Sequence, residues 1–97
     1  MNNLSFDNRE GYIWYNGDLL EWKNANVHVL NHGLHYASCV FEGERAYRGK
    51  IFETVKHTKR LFNSAKSLDM EIPFSEKEIV KAKEILLEKN SLSDAYV

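Results

Sequence analysis

Residues 41–47 read Phe-Glu-Gly-Glu-Arg-Ala-Tyr, and no other run constrains the chain as tightly. Side chains alternate across a strand. An extended backbone here puts Phe41, Gly43, Arg45 and Tyr47 on one face and Glu42, Glu44 and Ala46 on the other. The first face carries an aromatic, a bare stretch of main chain, a cation and a second aromatic. An apolar wall, a glycine that admits close approach and a fixed positive charge describe one side of a small-molecule pocket. A plainer reading stands beside it. Phe and Tyr at period two are commonly core, an arginine beside two glutamates commonly forms surface ion pairs, and a strand glycine often marks a bulge. Pattern alone leaves both open.

The flanks read as scaffold. Tyr12-Ile13-Trp14-Tyr15 and Asp18-Leu19-Leu20-Glu21-Trp22 bracket Asn16-Gly17, the signature of a two-residue type I′ hairpin whose central residues both need positive φ. Lys23 to Asn26 is a polar turn, and Val27-His28-Val29-Leu30 is a short strand candidate. After the central run, Arg48-Gly49-Lys50 is a turn and Ile51-Phe52 a returning strand. The period then changes to that of a helix. Thr54 is placed to cap it, with Val55, Leu61, Phe62, Ala65 and Leu68 as its apolar stripe and Arg60 at the border. Glu71-Ile72-Pro73-Phe74 breaks the pattern. Ser75 and Glu78 form a capping box that opens a second helix. Ile79, Ala82, Ile85, Leu86 and Lys89 give its face, and Asn90 is a left-handed stop. Glu76, Lys77, Glu78, Lys81, Lys83, Glu84 and Glu88 read as a solvated face. The expected fold is α+β: a small antiparallel sheet with two amphipathic helices, one domain over residues 12–97, preceded by a polar, flexible arm over 1–11. Ala95-Tyr96-Val97 reads as the opening of a strand, so the chain is expected to be a piece of something longer.

With 97 residues, a net charge of −1 and a single cysteine, the chain has no basic surplus for a phosphate backbone and no internal disulfide. It shows no apolar run of membrane-spanning length and no signal-peptide pattern. Nucleic acid and membrane are therefore not expected partners, and a reducing, cytoplasmic location is. His32 and His35 share helical spacing, but no third ligand follows at sensible spacing, so no metal is expected. Cys39 has neither a base nor a cation beside it in sequence to activate its thiol.

His35-Tyr36-Ala37-Ser38-Cys39-Val40-Phe41-Glu42-Gly43-Glu44-Arg45-Ala46-Tyr47 closely resembles the H-Y-G-x-x-V-F-E-G-x-R-A-Y segment of branched-chain amino-acid aminotransferases, fold-type IV pyridoxal-phosphate enzymes. Tyr12 to Trp22 is similar to the family's opening hairpin, residues 60–66 to its R-L-x-x-S-A-K helix, and residues 90–97 to the approach to its Y-I-R-P-L strand. The R-L-x-x-S-A pattern is shared with D-amino-acid aminotransferases and aminodeoxychorismate lyases, whereas F-E-G-x-R-A-Y is more particular to the branched-chain enzymes. The resemblance implies the N-terminal domain of that fold and a role for each matched position. Arg60 would bind the phosphate of pyridoxal 5'-phosphate. Tyr36 and Phe41 would line the side-chain pocket, the tyrosine reaching a partner subunit's site. Gly43 would mark close substrate approach. Arg45 would stand at the pocket edge, steadying Tyr36 or meeting an acidic co-substrate. Tyr96 would help hold the substrate carboxylate.

The resemblance further implies reversible amino transfer between L-leucine, L-isoleucine or L-valine and 2-oxoglutarate, in a homodimer or larger homo-oligomer. The cofactor-bearing lysine of the family lies in a second domain beyond residue 97, so no catalytic residue is expected here, and the chain alone is expected to be inactive. Two departures stand out: Ala37 replaces the family's glycine after His-Tyr, and Glu44 sits where the family carries an apolar residue. By alternation Glu44 points away from the Phe41, Gly43 and Arg45 face, with little expected effect on chemistry. The rival readings are a D-amino-acid aminotransferase or lyase of the same fold, and a non-catalytic self-associating module.

Overall fold

The computed structural model describes residue 6 and residues 8–97; residues 1–5 and 7 of the expected arm lie outside them. Strands β1 (Tyr12–Tyr15) and β2 (Asp18–Glu21) form the hairpin, paired from Tyr12↔Glu21 to Tyr15↔Asp18. Its turn is the one the dipeptide encodes, with Asn16 at φ 53° and Gly17 at φ 100°. Trp14 meets Phe74 edge-on at 5.0 Å, which seats the hairpin on the helical layer. Trp22 closes the hairpin's base: its backbone N–H donates to the Gly11 carbonyl and its indole N–H to the Phe6 carbonyl.

Val27 to Leu30 is not a strand. His28 Nδ1 accepts the Leu30 N–H at 3.0 Å and the His28 carbonyl accepts from Asn31, so the segment closes into a turn instead of extending beside a neighbour. A one-turn helix, α1 (His32–Tyr36), follows. The Asn31 side chain caps it by accepting the Gly33 N–H, and Ala37 ends it at φ 54°.

The second sheet places β3 (Arg45–Tyr47) between β4 (Lys50–Ile51) and β5 (Ala95–Tyr96), all antiparallel. The expected strand over 41–47 is shorter than its alternation. Its ladder starts at Glu44, whose N–H and carbonyl both pair with Val97 at 2.8 and 2.7 Å. The Phe52 N–H adds one more bond, to the Arg45 carbonyl.

Helix α2 (Thr54–Ser67) starts one residue earlier than a Thr54 cap requires, because Glu53 turns left-handed (φ 55°) and takes the N-cap position. Thr54 is thus inside the first turn, and its hydroxyl is buried without a partner. The inward line of α2 runs through Thr58 and Ala65, while Val55 and Leu68 of the expected stripe are exposed. Thr58 can be inside because its hydroxyl donates to the Thr54 carbonyl at 2.7 Å. Helix α3 (Glu76–Lys89) opens with the complete capping box of Ser75 and Glu78, worth about 1 kcal/mol. It buries Ala82 and Leu87, and Lys89 lies outside the buried face. Asn90 ends it at φ −92°, and the left-handed residue is the next one, Ser91.

Lys83 corrects the reading of α3 most sharply. Placed on the solvated face by its charge, it is turned inward, its side chain 12% exposed. It pairs with Glu44 at 2.6 Å and donates to the Thr58 hydroxyl at 2.7 Å. A buried lysine is tolerable where a carboxylate and a hydroxyl both receive it. The core therefore joins small residues and one leucine, Ala46, Ala65, Ala82 and Leu87, to one ionic cross-link between both helices and the central sheet.

Candidate functional site

The face that alternation assigned to a ligand is turned outward. Arg45, Tyr47 and Tyr96 are exposed, and Phe41 is 83% exposed. The opposite residues, Glu44 and Ala46, are buried and Glu42 is half-buried. This inverts the plainer expectation that the aromatics would be core. Neither glutamate pairs with Arg45: both oxygens of Glu42 are met by His57 and Arg60 of α2, and one oxygen of Glu44 by Lys83 of α3.

Three of the expected site residues come together. Tyr96 lies opposite Arg45 across the β3–β5 ladder. From there its hydroxyl lies over Gly43 so closely that a Cβ on that glycine would overlap it. The guanidinium of Arg45 rests over the Tyr47 ring at 5.7 Å. Arg45 and Tyr96 thus form one exposed patch of aromatic surface, phenol and cation, with Gly43 half-buried beneath the phenol. Tyr36 is at the end of α1, its ring beside those of His32 and His35 at 5.1 and 6.4 Å, and it is exposed.

Arg60 reaches this segment through Glu42. Its Nε–H donates to Glu42 Oε2 and an Nη2–H to Glu42 Oε1, both at 2.8 Å, in a side-on fork. His57 Nδ1 lies 2.6 Å from the same Oε1. A carboxylate only accepts, so the hydrogen of that bond is on Nδ1. The two bonds, Arg60 first and His57 second, hold the Glu42 carboxyl down from 4.5 to about 2, against a smaller opposing effect of burial. The guanidinium pKa is raised by the same bond. Although locked at one edge, the Arg60 side chain is 69% exposed, and its Nη1/Nη2 edge keeps donors for an anion. Arg60 therefore stands on the Glu42 side of the segment and does not meet Phe41 and Arg45 directly.

Glu42 and His57 went unread as site residues in the sequence. The available signal was His57 and Arg60 one helical turn apart on α2, which puts both on one side. No group of three or more His, Cys, Asp or Glu suited to a metal occurs among the described residues. No helix among them is long and apolar enough to cross a membrane.

Residues 39–97 match the amino-transferase class IV family, and the chain belongs to that family. It is 50% identical over 91 residues to the probable branched-chain-amino-acid aminotransferase of Rickettsia bellii, covering 94% of this chain and 32% of that protein. The fold agrees. The branched-chain amino acid aminotransferase of Escherichia coli superposes with a TM-score of 0.86 at 38% identity, over 91% of this chain and 31% of that one. The T.th. branched-chain amino acid aminotransferase complexed with N-(5'-phosphopyridoxyl)-L-glutamate does so with a TM-score of 0.86 at 41% identity, over 91% and 31%. The α+β expectation holds. The chain spans about a third of the length of the relatives it matches.

Proposed function

We propose that the protein carrying this chain is a branched-chain amino-acid aminotransferase. It moves an amino group between L-leucine, L-isoleucine or L-valine and 2-oxoglutarate, with pyridoxal 5'-phosphate as cofactor. The observation that carries this reading is the clustering of exposed Arg45 and Tyr96 around Gly43. A substrate pocket here must accept an apolar side chain in one half-reaction and a carboxylate in the other. Aromatic surface edged by a phenol and a guanidinium can meet both.

The donor set also fits the cofactor. Arg60 presents a free guanidinium edge, suited to two oxygens of a phosphate. Bound there, pyridoxal phosphate supplies the electron sink for amino transfer. The roles of this chain's residues are narrower: Arg60 anchors phosphate, Tyr96 donates to the substrate carboxylate, and Phe41 and Tyr36 line the apolar side. Arg45 meets the acidic co-substrate. The cofactor-bearing lysine lies outside residues 1–97, and these residues alone do not turn over. Val27, Val29, Leu30, Leu34 and Tyr36 are all exposed, which supports a homodimer in which α1 and the loop before it are covered. The protein is cytoplasmic.

The test is a substrate panel on the full source protein supplied with pyridoxal phosphate. Transfer from L-leucine, L-isoleucine and L-valine to 2-oxoglutarate, with none from D-alanine, supports the proposal. Turnover of D-alanine without L-leucine would assign a D-amino-acid aminotransferase instead. An intact mass ending at residue 97 would favour a non-catalytic module.

A further inference from the structure

We infer that Glu42 is a positioning residue for the anion anchor: it fixes the Arg60 guanidinium by one edge so that the other edge is presented, already oriented, to a phosphorylated ligand. This rests on the reading of Arg60 as the phosphate anchor and adds what makes that anchor effective.

The geometry supports this in three ways. Glu42 takes the Nε/Nη2 edge in two bonds of 2.8 Å, leaving the Nη1/Nη2 edge, which has the fork shape an oxyanion fits. Glu42 is itself held, its side chain only 6% exposed and tied by His57 Nδ1 at 2.6 Å. And Arg60 needs holding. Its side chain is 69% exposed, and a free arginine would lose its rotamer freedom on binding an anion, a cost that prior immobilisation removes. Glu42 also immediately precedes Gly43, so the fork couples the position of the anchor on α2 to the Gly43, Arg45 and Tyr96 patch.

The sign of the effect separates this from plain electrostatics. A carboxylate beside the guanidinium repels a phosphate, so charge alone predicts that removing it tightens anion binding. Positioning predicts the reverse. The E42Q side chain keeps one acceptor but turns an amide NH2 toward an arginine N–H, which breaks the fork. E42D keeps the charge and withdraws it by one methylene.

The experiment measures dissociation constants of pyridoxal 5'-phosphate and of pyridoxal, which lacks the phosphate, for the full source protein and for R60A, E42Q and E42D. Thermal unfolding of each ligand-free variant serves as the folding control. R60A should weaken pyridoxal phosphate by about tenfold or more while leaving pyridoxal unchanged. E42Q and E42D should each weaken it by about three- to tenfold, again without effect on pyridoxal. If R60A behaves so but E42Q binds pyridoxal phosphate as tightly as the parent or tighter, positioning is wrong and the anchor survives. If R60A has no effect, the anchor reading fails and takes the positioning role with it. Should E42Q not fold, E42D decides alone: unchanged affinity would overturn the inference.

Discussion

The hydroxyl of Tyr96 lies directly over the α-carbon of Gly43, on the side where any other residue would carry its Cβ. The contact joins β5 to the segment before β3, with Arg45 beside it in the ladder. In Gly43→Ala the phenol must move, and the main chain on either side is held by the Glu44–Val97 pair of bonds. We expect the variant to fold with its secondary structure intact. KM for amino acid and oxo acid should both rise by about tenfold or more through misplacement of Tyr96. Steady-state kinetics beside circular dichroism check this; unchanged KM values would show that the phenol's position is immaterial.

The Glu44–Lys83 pair makes a prediction about stability that a count of attractions would get backwards. Glu44 is 2% exposed, and its second oxygen, Oε1, has no partner. Lys83→Met leaves that carboxylate buried and alone, at a cost of about 3–5 kcal/mol. Glu44→Leu combined with Lys83→Met removes both desolvation penalties and should be neutral or more stable than the parent by about 1–4 kcal/mol. Urea unfolding of the parent, the single variant and the double variant checks the order.

That pair also marks where the sequence stops being readable. The hairpin and the capping box are legible because each rests on residues within one turn: Asn16 beside Gly17, Ser75 three before Glu78. The pairing of Glu44 with Lys83 spans two layers of structure, and nothing local distinguishes an inward lysine from its solvated neighbours on α3. Thr54 misleads for a different reason. The residue that starts α2 is Glu53 in a left-handed conformation, which its side chain does not favour and no propensity anticipates. Within the candidate site, alternation correctly separates Arg45 from Glu44. It cannot show that Tyr96 folds back over Gly43, or that Arg60 approaches through Glu42, because both are long-range contacts.

Glu42 should titrate far below an ordinary glutamate. Its carboxyl is held near 2, against 4.5 unperturbed, first by Arg60 and then by His57. A depressed carboxyl stabilises the folded state fully above its unfolded value and loses that contribution as pH falls through the folded one. The fork is therefore intact at neutral pH, and its contribution fades only between about 4.5 and about 2. A carbon-13 NMR titration of the Glu42 carboxyl should find it ionised throughout mild acid. In R60A, which removes the larger cause, the midpoint should rise toward 4.5, with the His57 bond still holding it below that value.

Ala37 ends α1 at φ 54°, a conformation in which a Cβ is strained. Glycine adopts the same angle free of that strain. Ala37→Gly should therefore stabilise the α1 end by about 0.5–1 kcal/mol, the relieved strain exceeding the entropy that glycine adds to the unfolded chain. Hydrogen exchange at the amides of residues 32–36 reads this locally. Slower exchange in the glycine variant is expected, and faster exchange would mean that the alanine rigidifies the loop bearing Tyr36.

Asn90 has a role its position at a helix end does not announce. Its Oδ1 accepts the Tyr12 N–H at 2.8 Å, and its Nδ2 donates to the Tyr12 and Leu86 carbonyls at 3.0 and 2.9 Å. The amide thus stands in for a neighbouring strand at the edge of β1 and binds the hairpin to the C-terminus of α3. Gly11, at φ 124°, makes room for it, since a Cβ there would lie 2.6 Å from Oδ1. Asn90→Asp keeps the acceptor and turns a charged oxygen toward two carbonyls, so it should be worse than a simple deletion. Asn90→Ala should cost about 1–3 kcal/mol and Asn90→Asp more. Gly11→Ala should weaken the same joint from the other side by overlap and by backbone strain. Because all three act on one contact, Asn90→Ala combined with Gly11→Ala should cost less than the two separately. Urea unfolding of the single and double variants measures this, and strict additivity would mean that the two residues hold the hairpin independently.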